Sequence, residues 1–148
     1  MSTVKALYHI VINTKSRKMT ITEENKRELY KYIYGIINSY NCKLIRMNGI
    51  ANHIHILLQL HPTIALSNSM HEVKRSSSIW VKEHNDLFPF FDGWGKEYAA
   101  FTCSFKDQNT IIDYIKGQEV HHKVYTYEDE IKTLSVENDC VYYEGDVK

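Results

Sequence analysis

The chain reads as an α+β domain of the split βαβ, ferredoxin-like type, with a four-stranded antiparallel sheet, two helices on one face and an additional C-terminal helix. Three observations predict this. Segments of period-2 or continuous apolar character alternate with segments of period 3.6 in the order β-α-β-β-α-β-α. A short Asn48-Gly49 turn signal joins the second and third strands. A chain of 148 residues is large enough to bury one core as a single domain spanning 1–148.

Residues 4–13 (VKALYHIVIN) are β-branched and nearly continuous in apolar content, which predicts a buried strand. His9 within it is expected to be a hydrogen-bonded core histidine. Residues 14–20 form a basic loop with Lys15, Arg17 and Lys18. Thr20 and Glu23 have capping-box spacing, with Thr22 an alternative N-cap, and the following helix carries Leu29, Ile33, Ile36, Ile37 and Tyr40 on one face. Residues 43–47 predict the second strand and residues 51–60 (ANHIHILLQL) the third. Residues 63–84 predict a second helix faced by Leu66, Met70, Val73, Ser77 and Trp80, with Lys74, Arg75 and a triple serine within it. An aromatic, turn-rich loop occupies 86–97, a fourth strand 98–105, and a third helix 109–122, capped by Asn109 or Thr110. The last 26 residues are acidic and tyrosine-bearing, with a short helix expected near 127–134.

Charge and cysteine usage narrow the function classes. The 18 basic residues balance the 18 acidic ones, yet residues 1–60 hold about nine Lys/Arg against three Asp/Glu, an asymmetry that points to an anionic ligand on one side. Cys42, Cys103 and Cys140 are widely separated and odd in number, which argues for reduced thiols in a cytoplasmic protein and against a zinc knuckle or disulfide frame. No apolar run is long enough to span a bilayer and no signal peptide is evident.

The chemistry centres on the third strand. Alternation places His53 and His55 on one face, with Ile54, Ile56 and Leu58 on the other. The isoleucine face packs under the two helices, so the histidines lie on the open face, which the third helix is left to cover. In that helix Tyr114 and Gln118 stand one turn apart, and Ile111, Ile112 and Ile115 can anchor its apolar side. Two imidazoles and an amide oxygen suit a divalent metal such as Mg²⁺ or Mn²⁺, and a phenol beside it points to a covalent phosphotyrosine step. Tyr125 and Tyr127 are the fallback nucleophiles, and His121-His122 are expected as cations near a helix C-terminus.

The same residues carry a family likeness. Tyr8-His9-Ile10, Thr14-Lys15-Ser16-Arg17, Asn48 through His55, Val73 through Ser77, Trp94 with Tyr98 through Phe101, and Tyr114-Ile115-Lys116-Gly117-Gln118 with His121-His122 occur in this order. In that order and spacing the chain resembles the single-tyrosine HUH transposases, the TnpA type of the smallest insertion sequences and their REP-associated relatives. The resemblance covers nearly everything up to about residue 130. It implies Tyr114 as nucleophile, His53, His55 and Gln118 as metal ligands, and single-stranded DNA with hairpin ends as partner. It also implies a homodimer and DNA transposition without ATP. Lys15, Arg17, Lys74 and Arg75 are weaker candidates for DNA backbone contacts. The chain departs from the family pattern in having Asn52 where Asp is frequent, and Gly95 after Trp94 where Gln is frequent. Two further readings stand beside this one: an inactive or domesticated hairpin-binding relative, and an RNA-recognition-like module that stacks bases on sheet aromatics.

Overall fold

The structure, a computed structural model, describes residues 2–140. Four strands, β1 (Leu7–Thr14), β2 (Lys43–Ile50), β3 (His53–Gln59) and β4 (Trp94–Cys103), form one antiparallel sheet in the order β2-β3-β1-β4. Helices α1 (Lys26–Ser39) and α2 (Leu66–Glu83) cover one face. The split βαβ arrangement is therefore the observed one. Its main core joins Ile10, Ile12, Ile54, Ile56 and Leu58 of the sheet to Leu29, Ile33 and Ile37 of α1 and to Met70, Val73 and Val81 of α2. Ser77 belongs to the α2 inner face because its hydroxyl accepts the Trp94 indole N–H at 2.9 Å.

Several local expectations are corrected. α1 begins at Lys26, beyond the predicted Thr20–Glu23 box and without a side-chain cap. Thr22 Oγ1 and Asn25 Nδ2 instead donate to the Leu87 carbonyl, at 3.0 and 3.2 Å, tying this segment to the loop after α2. Asn48-Gly49 is not the hairpin turn; both residues lie inside β2, paired with His55 and Ile54. The turn falls at Ala51-Asn52. Its carbonyls accept from Thr14 (2.9 Å), Thr20 (3.0 Å) and Ile21 (2.9 Å), so tertiary hydrogen bonds hold it there. Gly49 has a different reason for being glycine: a Cβ at that position would stand 2.1 Å from the His53 carbonyl oxygen.

The predicted third helix is two helices. α3 (Gln108–Lys116) ends at Gly117, whose φ of −89° and ψ of 14° turn the chain into the one-turn α4 (Gln118–His121). Neither Asn109 nor Thr110 caps α3; Asp107 occupies the N-cap position without a side-chain bond. A fifth helix, α5 (Tyr127–Glu137), is capped by Thr126, whose side chain accepts from the Asp129 amide at 3.2 Å. The open sheet face is thus shared. α3 and α4 lie over β2 and β3. α5 docks beside them through a small second core of Val11, Phe101, Tyr127, Ile131 and Leu134.

The three cysteines are free. Among the described residues no helix is long and apolar enough to cross a membrane.

Candidate metal and nucleophile site

β3 is an inner strand, so His53 and His55 are wholly buried between β2 and β1, on the face opposite Ile54 and Ile56. α3 and α4 are tied to the edge strand above them. Asn48 Nδ2 donates to the Ile115 carbonyl (3.0 Å) and to Glu119 Oε2 (3.1 Å). The buried Lys26 ammonium reaches both the Gly49 carbonyl (3.2 Å) and Glu119 (2.8 Å). These ties set the height of the last turn of α3, which carries Tyr114, and of the first residue of α4, which is Gln118. The tyrosine ring lies 5.6 Å from that of His55 and 6.0 Å from that of His9. Gln118 Oε1 lies 3.2 Å from His53 Nε2. The kink at Gly117 therefore preserves the association expected from helical spacing.

Glu130, from α5, stands at the centre. One carboxylate oxygen faces the Nε2 atoms of His53 (3.1 Å), His55 (2.9 Å) and His122 (3.0 Å). The other accepts from the Tyr114 hydroxyl and from Gln118 Nε2 (2.9 Å), with His121 Nε2 at 3.3 Å. Burial alone would raise the Glu130 carboxyl pKa, but the bonds to His122, His53 and His55 outweigh it and hold the group far below the usual carboxylate range. The Tyr114 phenol is pushed well up, first by burial, then by its bond to Glu130 and that carboxylate's charge.

Ring orientation defines what this cluster accepts. His122 Nδ1 lies 2.8 Å from the Tyr125 carbonyl, which can only accept, so Nδ1 carries the proton. His53 Nδ1 lies 2.8 Å from Asn52 Oδ1, whose amide nitrogen is turned to the Arg17 carbonyl (3.5 Å), so the same tautomer is assigned there from the network. In each ring Nε2 is the nitrogen turned to the Glu130 carboxylate, and that of His53 faces the Gln118 oxygen as well. Such nitrogen–oxygen contacts are bridged by a proton on Nε2 or by a shared metal cation. At His53 a second ring proton fits poorly, because burial above all pushes its pKa down to about 4. A divalent metal fits the donor set, and His53, His55, His122 and Glu130 have ligand atoms all within 4.8 Å of one another.

Of the predicted site residues, the structure brings His53, His55, Tyr114 and Gln118 together. His9 is a buried core histidine, as expected, and its Nε2 lies 2.7 Å from His55 Nδ1. His122 does stand at a helix end, as the C-cap residue of α4, and its ring points into the cluster. Glu130 was not singled out, although Tyr127, Ile131 and Leu134 form a helical stripe that places residue 130 on the inward face. Tyr127 is buried and bonds Asn13 Oδ1 at 3.3 Å, while Tyr125 is exposed and stacks on His121. Arg17 pairs with Glu128 at the start of α5, and Lys15 is exposed nearby. Lys74 donates to the carbonyls of Gly95 and Glu97, both at 2.9 Å, fastening the start of β4 to α2. Arg75 pairs with Glu72 on the same helix.

The model of the family described as IS200-like transposases matches residues 2–118. The chain belongs to that family. Transposases for the insertion sequence element IS200 from Salmonella typhimurium and Salmonella typhi are each 29% identical over 115 residues, covering 75% of this chain and 75% of theirs. A REP-associated tyrosine transposase solved bound to a REP hairpin superposes with a TM-score of 0.63 at 14% identity, covering 100% of this chain and 91% of that one. A candidate transposase of Deinococcus radiodurans gives 0.62 at 22% identity, covering 79% of this chain and 93% of that one. These two likenesses show the fold. In this IS200-like transposase the family match ends at Gln118, so His122 and Glu130 lie beyond it.

Proposed function

We propose that this IS200-like transposase cleaves and rejoins single-stranded DNA through Tyr114. The observation that carries the reading is the convergence of one part-buried phenol with two buried histidines of a His-Ile-His strand and one buried glutamine in a single cluster. The Tyr114 oxygen attacks the scissile phosphorus, the P–O3′ bond breaks, and a 5′-phosphotyrosine results, with the leaving 3′ oxygen taking a proton from water to become a free 3′-OH. The phenolic proton is held at the Glu130 carboxylate, its hydrogen-bond acceptor. A 3′-OH attacking the phosphotyrosine reverses the step on another strand, so the bond energy is kept. A divalent ion, Mg²⁺ or Mn²⁺, held by His53, His55 and Gln118 would polarise a non-bridging phosphate oxygen.

Lys15, exposed close to the start of α5, is the better placed of the proposed backbone contacts, since Arg17, Lys74 and Arg75 each hold an internal partner. A homodimer is part of the same proposal. Tyr114 meets His55 of its own chain, so each subunit has a full set of side chains. The RNA-recognition reading loses its footing, because α3, α4 and α5 cover the sheet face where aromatics would need to be open.

Trapping tests the proposal. Labelled single-stranded oligonucleotides carrying a hairpin should give a protein adduct on denaturing gels with Mn²⁺, none with EDTA, and none with Tyr114→Phe, which should still bind DNA. An adduct that persists in Tyr114→Phe would refute the assignment. Tight hairpin binding with no adduct under any metal would favour the inactive binder.

A further inference from the structure

The ligand set of His53, His55 and Gln118 leaves His122 and the second carboxylate oxygen of Glu130 in the same cluster without a task. His122 and Glu130 come from chain beyond the family match, yet they face the same point as His53 and His55. We infer that Glu130 and His122 are ligands too, completing a three-histidine, one-carboxylate metal centre, and that the bound ion thereby fastens α5 to the sheet. The inference rests on the preceding reading that the His53/His55 pair binds a divalent ion.

Four arguments support it. The Tyr125 carbonyl, which can only accept, takes up His122 Nδ1, so Nε2 is the ring atom turned to Glu130, 3.0 Å away, and the one placed to be a ligand. Glu130 Oε1 has three imidazole nitrogens around it at 2.9–3.1 Å, an arrangement that calls for positive charge among them. The four ligand atoms lie within 4.8 Å of one another, so small movements bring them onto an ion with bonds of about 2.0–2.2 Å. Finally, Glu130 is a polar tie between α5 and the sheet face, beside the second core, the Tyr127–Asn13 bond, the Tyr127–His53 ring contact and the partly exposed Arg17–Glu128 pair. A carboxylate buried among these rings costs stability unless positive charge meets it. Three imidazoles with one carboxylate favour Mn²⁺ or Zn²⁺ over Mg²⁺, which prefers an all-oxygen shell. Glu130 Oε2 would stay on the Tyr114 hydroxyl, so the ion and the nucleophile share one positioning group.

The experiment is calorimetric titration of the metal-free full chain with Mn²⁺, and separately with Zn²⁺, for the wild type, Glu130→Gln and His53→Ala. Hydrogen exchange over residues 127–137 is followed in parallel. Glu130→Gln keeps size and hydrogen-bonding capacity and should weaken Mn²⁺ binding by about tenfold or more. In the wild type, which needs no variant to fold, Mn²⁺ should slow exchange across α5. Binding by Glu130→Gln that equals or exceeds the wild type, or α5 exchange indifferent to Mn²⁺, overturns the inference. If His53→Ala still loses the ion in that case, the reading of the His pair stands. A wild type that binds neither Mn²⁺ nor Zn²⁺ overturns both.

Discussion

Replacing His9 by Leu should weaken metal binding without touching a ligand. For His55 to present a lone pair at Nε2, its proton must sit on Nδ1 and be donated to His9 Nε2, 2.7 Å away. With Leu at position 9 that donor would be buried and unpaired, which costs about 1–3 kcal/mol. The ring escapes the cost by moving its proton to Nε2, where Glu130 accepts it at 2.9 Å. That tautomer cannot bind a metal, so the ion must restore the unfavourable one. At about 1.4 kcal/mol per decade, the penalty is roughly a fivefold to hundredfold rise in the Mn²⁺ dissociation constant. His9→Gln, whose side-chain oxygen can accept, should recover part of the loss. Calorimetry on both variants, with circular dichroism to confirm folding, measures this. A folded His9→Leu protein whose Mn²⁺ affinity lies within twofold of the wild type would refute the tautomer argument.

Two other expectations concern stability. Gly49→Ala should destabilise by about 2–4 kcal/mol in urea denaturation, because its Cβ meets the His53 carbonyl oxygen at 2.1 Å and must push β2 away from β3; an unchanged midpoint would contradict the close approach. In the metal-free protein, stability should fall as pH drops from about 6.5. Burial first of all depresses His9 to about 3 and His53 to about 4. The unfolded chain therefore takes up protons that the folded chain refuses, at up to about 1.4 kcal/mol per pH unit per group. Below about 4.5 the depressed Glu130 carboxyl acts in the same direction, because the unfolded chain protonates there while the folded one stays ionised. Denaturation midpoints in EDTA that stay level between pH 7 and 5 would contradict this.

Local pattern was enough for the sheet, for both helices on its far face, and for the placement of His53 and His55, because side-chain alternation and helical stripes are set by neighbours in sequence. The Tyr114–Gln118 association was legible for the same reason and survived the kink at Gly117. Turn chemistry was less reliable. Asn48-Gly49 has the composition of a hairpin turn, but hydrogen bonds from Thr14, Thr20 and Ile21 hold the turn at Ala51-Asn52. The centre of the site was decided by tertiary structure alone. Glu128, Asp129 and Glu130 are consecutive acids in one first turn, and composition does not distinguish them. Only docking of Tyr127, Ile131 and Leu134 on Val11 and Phe101 turns Glu130 inward, to three histidines whose nearest in sequence is eight residues away. A charge becomes a ligand or a solvated side chain according to which face of its helix finds a core.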